Sequence, residues 1–547
     1  MKNFKRLLAV LTAALIMFGA TACGTVVDEI DKDKTQIYVG VFNGGYGTAW
    51  MKEAAEEFNA MPENSAYQII VTPLNDDELS TIEANILAGT SNINVYFTTT
   101  PNLKSMISKN LLADISDLLM VKPDGEGGMT IEEKMLYAEL AKKAFSDPYG
   151  KGLYGLPYGD SFVGPIFDFQ EFYDNGWLVF ESQGKLSPGP DGIYDTYDDG
   201  QPRNLEEWNE MILTICSGGT YPFIHTTKYP DYVTAILNAG VAQYEGIDNY
   251  RTFYRYEGNY VDGEGNTVKI TPETGNKVFG MEGVGKALEF FDVMLTNNRE
   301  YIHPASWETT SLDHKEAQNK YILRYKNAQD NPASAILIDG NWWENEARPL
   351  FNNLTNSKEP ERGYGKREFR SMLLPRLDGS KTGADGKVKS MLCCNDTGAT
   401  FVVKNKDEAL EKKAKEFVAF TLSEKNLKRF TLSNGTIRPY KYNLTEEEKA
   451  QLTPFQRNVW DMYHDVEHIE LVRPEIEKLY SPINYATNKV GNRWFVEISN
   501  SGYYNPLMGL RRSDAKTYQK SLVNYYTDQK WNGFYTVVKN YYDAWTD

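Results

Sequence analysis

Hydrophobic and polar positions alternate between Gln36 and Phe42, so that Ile37, Val39 and Val41 share one face of a strand. The run ends at Asn43-Gly44-Gly45-Tyr46-Gly47, and the period then lengthens. Trp50, Met51, Ala54, Ala55 and Phe58 recur at the spacing of a helix laid on a sheet, and Met61-Pro62 stops it. Residues 67–71 predict a second strand. Asp76-Asp77 cap a helix carrying Leu79, Ile82, Ile86 and Leu87, which Gly89 ends, and residues 93–97 predict a third strand. A helix through Leu103, Met106 and Ile107 closes the unit. Strand, glycine loop, helix, strand, helix, strand is the order of βαβ units in a parallel sheet. Such sheets bind ligands at the carboxyl ends of their strands, which places residues 43–46 and Thr98-Thr99-Thr100 at the mouth of a cleft.

The first 22 residues follow a different pattern. Lys2, Lys5 and Arg6 precede an apolar run over 7–18, and Gly19, Ala20, Thr21 and Ala22 lead to Cys23, the arrangement of a secretory signal. The run is shorter than the roughly 20 residues that a spanning helix needs. Residues 23–35 are polar and acidic without periodicity and read as a tether. Removing residues 1–22 leaves 525 residues, enough for more than one domain, and takes the net charge from −17 to −20. That charge excludes nucleic acid as a partner. Beyond Cys23 only Cys216, Cys393 and Cys394 remain, too few and too close for a disulfide framework, so they read as thiols. With 36 Tyr and 10 Trp, the chain carries more amphipathic aromatic surface than a core requires, of the kind that stacks on the C–H faces of sugars.

Several segments, taken in order, resemble one family. Residues 37–58, Gly89 with Asn94-Val95-Tyr96, and Leu112-Ala113-Asp114 are similar to the N-terminal half of the carbohydrate-type (family 1) extracellular solute-binding proteins of bacterial ABC importers. Tyr154-Gly155-Leu156-Pro157-Tyr158, Leu205-Glu206-Glu207-Trp208, residues 335–343, residues 396–403 and Gly435-Thr436-Ile437-Arg438-Pro439 continue the resemblance in the family's order. Ala-Thr-Ala-Cys-Gly, over 20–24 apart from its first position, resembles the lipobox of bacterial prolipoproteins, which implies cleavage and lipidation at Cys23; the alternative is ordinary cleavage near Ala22. The resemblance implies an α/β fold of the type II periplasmic-binding-protein kind, with two lobes, each a central sheet flanked by helices, joined by a three-segment hinge. Residues 36–157 plus 396–436 would form the N-terminal lobe, and residues 158–395 plus 437–547 the C-terminal lobe with extra helices. It also implies a monomer, anchored by lipid to the extracellular face of the cell membrane. Such a protein captures a carbohydrate, here an oligosaccharide, by hinge closure and delivers it to ABC permease subunits without chemistry or a required cofactor.

Candidate side chains follow. The 43–47 loop lacks the Lys-Ser/Thr of a phosphate-binding loop, so it is either a tight turn or a ligand loop contributing Asn43 and Tyr46. Trp342 and Trp343 point in different directions, so one can serve the core while the other faces the cleft; the sequence leaves open which. Tyr158 and Asp160 follow the first crossing, and Asp396 lies on the return crossing. A carboxylate there can accept two sugar hydroxyls. The insertion 187–200 carries Asp191, Asp195, Asp198 and Asp199 and reads equally as a structural calcium site or as an acidic surface loop. His464-Asp465-Val466-Glu467-His468 fits a zinc-peptidase pattern, outweighed by a solvated helix face. A glycosidase pair of carboxylates stays open among 75 acidic residues, as does a peptide, phosphorylated compound or polyol as ligand.

Overall fold

A computed structural model describes residues 30–543 except 100–102, 148, 263, 297–298, 324–331, 357–358, 381–387, 481–493 and 499–501. The leader, Cys23 and Thr100 therefore lie outside the described residues. The chain begins with β1 (Thr35–Phe42), whose inward positions Ile37, Val39 and Val41 are fully buried. Helix α1 (Ala49–Asn59) buries the five residues that the spacing predicts. Strand β2 (Tyr67–Leu74) runs parallel to β1. Helix α2 (Asp76–Ala88) is capped one residue before the expected position: the Asn75 side chain accepts from Glu78 N at 3.0 Å while Glu78 accepts from Asn75 N at 2.8 Å. Asp76 and Asp77 then sit in the first turn, at the positive end of the helix. Strands β3 (Ile93–Thr98) and β4 (Leu156–Pro157) complete this run.

The chain then builds a second sheet. Its elements are β5 (Ser161–Asp168), α3 (Leu205–Ser217), β6 (Tyr221–His225), α4 (Asp231–Glu245), α5 (Glu282–Leu295), α6 (His314–Ile322), β7 (Ser334–Gly340), β8 (Phe369–Ser371) and β9 (Ser390–Asp396). Strand β10 (Ala399–Val402) returns to the first sheet, followed by α7 (Glu408–Phe420) and α8 (Glu424–Asn434). Helix α9 (Pro454–His464) and β11 (Ile469–Val472) belong again to the second. The first sheet has the order β2-β1-β3-β10-β4 and the second β11-β9-β5-β7-β6, with β8 on β5. Helix α4 is apolar nearly all round because it is covered nearly all round, by the second sheet and by α5. Cys393 and Cys394 point to opposite faces of β9 and join the two separate cores, so their thiols stay free.

Three passes between the sheets lie side by side. Gly159 N donates to Thr397 O at 2.9 Å, and Asp160 N donates to Ile437 O at 2.8 Å, so the passes at 158–160, 397–398 and near 437 form one hydrogen-bonded hinge. Arg438 is fully buried there. It donates to Tyr158 O at 3.0 Å and Thr421 O at 2.9 Å, with Trp50, Phe97, Tyr158 and Tyr440 rings within 6 Å of its guanidinium. The tail departs from the expectation that it packs on the second lobe alone. Helix Pro474–Tyr480 packs both on Ile247–Arg255 of that lobe and on Ala138–Phe145 beside the first sheet.

Candidate ligand cleft

The carboxyl ends of β1 and β3 on one side and of β6 and β7 on the other face a common cleft, as parallel strands dictate. The two lips touch. A Cβ on Gly45 would sit 2.2 Å from Trp342 Cδ1, so only glycine lets the 43–47 loop lie this close to the indole, and Asn345 Nδ2 donates to Gly45 O at 2.6 Å. Tyr46 is buried beneath the lip, where its hydroxyl hydrogen-bonds Ser161 Oγ at the start of β5. Asn43 is exposed at the rim, with its amide tied to Leu74 O at 2.8 Å.

Trp342 is half-buried and meets Tyr232 edge to face at 5.7 Å and 74°, forming an aromatic corner. His314 stacks on Tyr232 at 5.6 Å and packs against Tyr229 at 5.4 Å. Its Nε2 lies 3.1 Å from Glu346 Oε1, which in turn accepts, through Oε2, from Gln318 at 2.8 Å. Burial works against the charge on both partners. The pairing nevertheless holds the imidazole above and the Glu346 carboxyl below their ordinary values. Asp339, at the end of β7, is pushed up to about 7 by burial and by the charge of Glu346. Asn341 is 3 % exposed, and neither of its amide atoms has a hydrogen-bond partner among the described residues. Sequence reasoning missed Tyr229, Tyr232, His314, Asn341 and Asn345. Only the pair Tyr229-Tyr232 just after the strand at 221–225 offered a signal, and it needed the order of β6 in the sheet.

Three predicted contacts are corrected. Tyr158 is fully buried among Tyr46, Trp50, Phe97 and Phe430, because its pass runs through the core of the first lobe. Trp343 is fully buried against Tyr321, Phe351, Phe369 and Phe455, so of the two tryptophans it is Trp342 that reaches the cleft. Asp160 is also fully buried. Its carboxylate accepts from Tyr463 at 2.7 Å, from Tyr137 at 3.3 Å and from Arg473 at 2.7 and 2.9 Å, leaving nothing for a sugar hydroxyl. The backbone of Asp396 pairs with Ser161; its side chain lies outside the described residues.

The four carboxylates of the acidic loop do not form one cluster. Asp198 is fully buried and accepts from Asp191 N and Thr196 Oγ1, Asp199 accepts from Asp195 N, and Asp191 accepts from Ile193 N, so these three cap the loop's own backbone. Burial, opposed by the hydrogen bond from Thr196 but aided by Asp191, pushes the Asp198 carboxyl up to about 7. Asp191 instead stands with Asp465 and His468, donor atoms within 4.8 Å of one another. This mixed set is not the oxygen cage that calcium takes. Helix α9 ends at His464, so the two histidines of the H-x-x-E-H pattern do not share a helical face. His464 packs against Trp460 with ring centroids 3.9 Å apart, and His468 bonds Asp465 at 2.9 Å.

No protein-family model and no curated protein matches this chain. Solved structures do. One from Caldanaerobius polysaccharolyticus, described in a study of xylan utilization, covers 90 % of this chain and 100 % of its own at 14 % identity with a TM-score of 0.56. A probable secreted solute-binding lipoprotein from Streptomyces coelicolor covers 91 % and 99 % at 13 % identity and 0.54, and maltose-bound MalE3 of T. maritima covers 90 % and 98 % at 13 % identity and 0.52. The fold is that of type II periplasmic-binding-protein-like solute-binding proteins. The aromatic corner of Trp342 and Tyr232 thus lies in the interlobe cleft of this fold. Among the described residues, no helix is long and apolar enough to cross a membrane.

Proposed function

We propose that this chain is the solute-binding component of an ABC importer and captures a carbohydrate, an oligosaccharide, by closing residues 36–157 plus 396–436 against 158–395 plus 437–547. The observation that carries this reading is the Trp342–Tyr232 corner at the strand ends, opposite the glycine lip of the other lobe. Two flat apolar faces at 74° suit the C–H faces of consecutive sugar rings, and the orphaned Asn341 amide next to Trp342 suits a hydroxyl that both donates and accepts. Neighbours of this fold include a maltose-bound protein and one from a study of xylan utilization. Affinity comes from stacking and hydroxyl hydrogen bonds, and the protein does no chemistry on its ligand. Cys23, lipidated, anchors a monomer to the outer face of the cell membrane, where the closed form is presented to permease subunits.

Titration calorimetry against xylo-, malto- and chitooligosaccharides, peptides and polyols tests this. An oligosaccharide binds, and Trp342→Ala weakens it by about 30-fold or more, since stacked aromatics at a desolvated site contribute about 2 kcal/mol or more. Binding of a peptide or polyol in place of every sugar rejects the carbohydrate, and turnover of any of them rejects the binding role.

A further inference from the structure

The tail supplies more than extra helices. Residues 469–480 run between the lobes at the hinge. Helix Pro474–Tyr480 is packed on Ala138–Phe145 on one side and on Ile247–Arg255 on the other, where Glu477 accepts from Arg255 at 2.5 Å and lies 3.6 Å from Arg251. Just before that helix, Arg473 places two nitrogens on one oxygen of Asp160, in the first hinge pass, and lies over the ring of Tyr137, beside the first sheet, at 4.2 Å. Tyr463, on α9, donates to the same Asp160 oxygen at 2.7 Å, and Tyr137 donates to the other. One buried carboxylate in the hinge is therefore held from the first lobe and from two tail elements together. A change in the angle between the lobes must move Tyr137 against Arg473 or carry Asp160 away from one of its donors. Carboxylate bonds to a guanidinium fork are among the strongest and most directional available.

Resting on the proposed closure of the lobes, we propose that the tail segment 469–480 is a strap that holds the hinge at its closed angle, with Arg473 as a positioning residue. It sets ligand affinity without touching ligand. A protein whose closed state is favoured in advance loses less on binding, because the apparent dissociation constant is the intrinsic one divided by the competent fraction.

The test reads lobe separation in ligand-free protein. Spin labels are placed at Asp77→Cys on α2 and Asn209→Cys on α3, in a Cys23→Ser, Cys216→Ser background, and their distance is measured by double electron–electron resonance. The parent is expected to show one narrow distance. Arg473→Met is expected to move it by more than about 2 Å and broaden it, the scale of hinge rearrangement, Tyr463→Phe is expected to do so less, and Arg473→Lys restores part of the parent distribution. Distributions of Arg473→Met and Tyr463→Phe that superimpose on the parent overturn the strap; should Arg473→Met fail to fold, Tyr463→Phe alone decides. These distances need no ligand, so failure of the carbohydrate reading leaves the outcome interpretable. With an oligosaccharide that the parent binds, maltotriose as the first probe, Arg473→Met raises the dissociation constant about tenfold, which is the loss expected when the competent fraction falls to about one tenth; an unchanged constant counts against the strap.

Discussion

Glu344 follows the two tryptophans and is buried with the second of them. Its Oε2 accepts from Thr453 Oγ1 at 2.5 Å, while Oε1 has no partner among the described residues, and burial pushes the carboxyl up to about 7 despite Thr453 and the charge of Arg348. The unfolded chain ionises this group near 4.3. The folded state therefore binds the proton more tightly, and the stabilisation from the protonated form is complete below about pH 4. It is lost as pH rises towards 7, because the unfolded state ionises first. A shift of this size is worth up to about 4 kcal/mol. Glu344→Gln keeps the acceptor for Thr453 and carries no titrating proton. Melting curves from pH 4.5 to 8 should coincide at the acid end and diverge upwards, with the variant more stable at pH 8; parallel curves reject the assignment. Trp342 and Trp343 show how far single residues are legible. That the two must point apart follows from adjacency, but Trp343 goes inward because Phe351, Phe369 and Phe455 arrive from three later segments, which periodicity does not reveal.

Elements with a regular period were readable, and the turns between lobes were not. The buried face of α1 matches its spacing residue for residue, β1 appears where alternation puts it, and β2 and β3 cover the stretches predicted as strands. By contrast, Tyr158 and Asp160 sit in a segment without period, and the partners that bury Asp160 stand 303 and 313 residues away. The acidic loop, open between a calcium site and a surface loop in the sequence, is hard to read for a related reason: the carboxylates of Asp198 and Asp199 are spent on the loop's own backbone, a demand that composition does not display. The return pass carries an equally hidden constraint. Gly398 has φ of +60°, and a Cβ there would lie 2.6 Å from the carbonyl oxygen of Thr98 on β3. Left-handed backbone costs an ordinary residue about 1–2 kcal/mol, and the contact with a main-chain oxygen adds to it. Gly398→Ala is expected to lower unfolding free energy by about 2 kcal/mol or more in urea titrations; a midpoint within error of the parent would show that the pass relaxes freely.

At the scale of the whole molecule, chain connectivity opposes independent lobes. The first hinge pass is hydrogen-bonded to the other two, β10 returns to a sheet begun at Thr35 near the start of the described chain, and β11 extends a sheet whose other strands come from the middle of the chain. The segment that follows β11 is buried against both lobes, so neither can unfold without exposing it and leaving the Asp160 charge without its partners. Removing one partner from a buried ion pair costs about 3–5 kcal/mol. That coupling is large beside the total stability of a domain, about 5–15 kcal/mol, so partial unfolding is poorly populated. Chains of several domains commonly melt in stages. Here scanning calorimetry is expected to show one transition, with van't Hoff and calorimetric enthalpies in agreement, and a saturating ligand should move that single peak upwards as a whole. Two resolved peaks, with only one of them responding to ligand, would mean that the hinge passes and the tail join the lobes loosely and that each core folds alone.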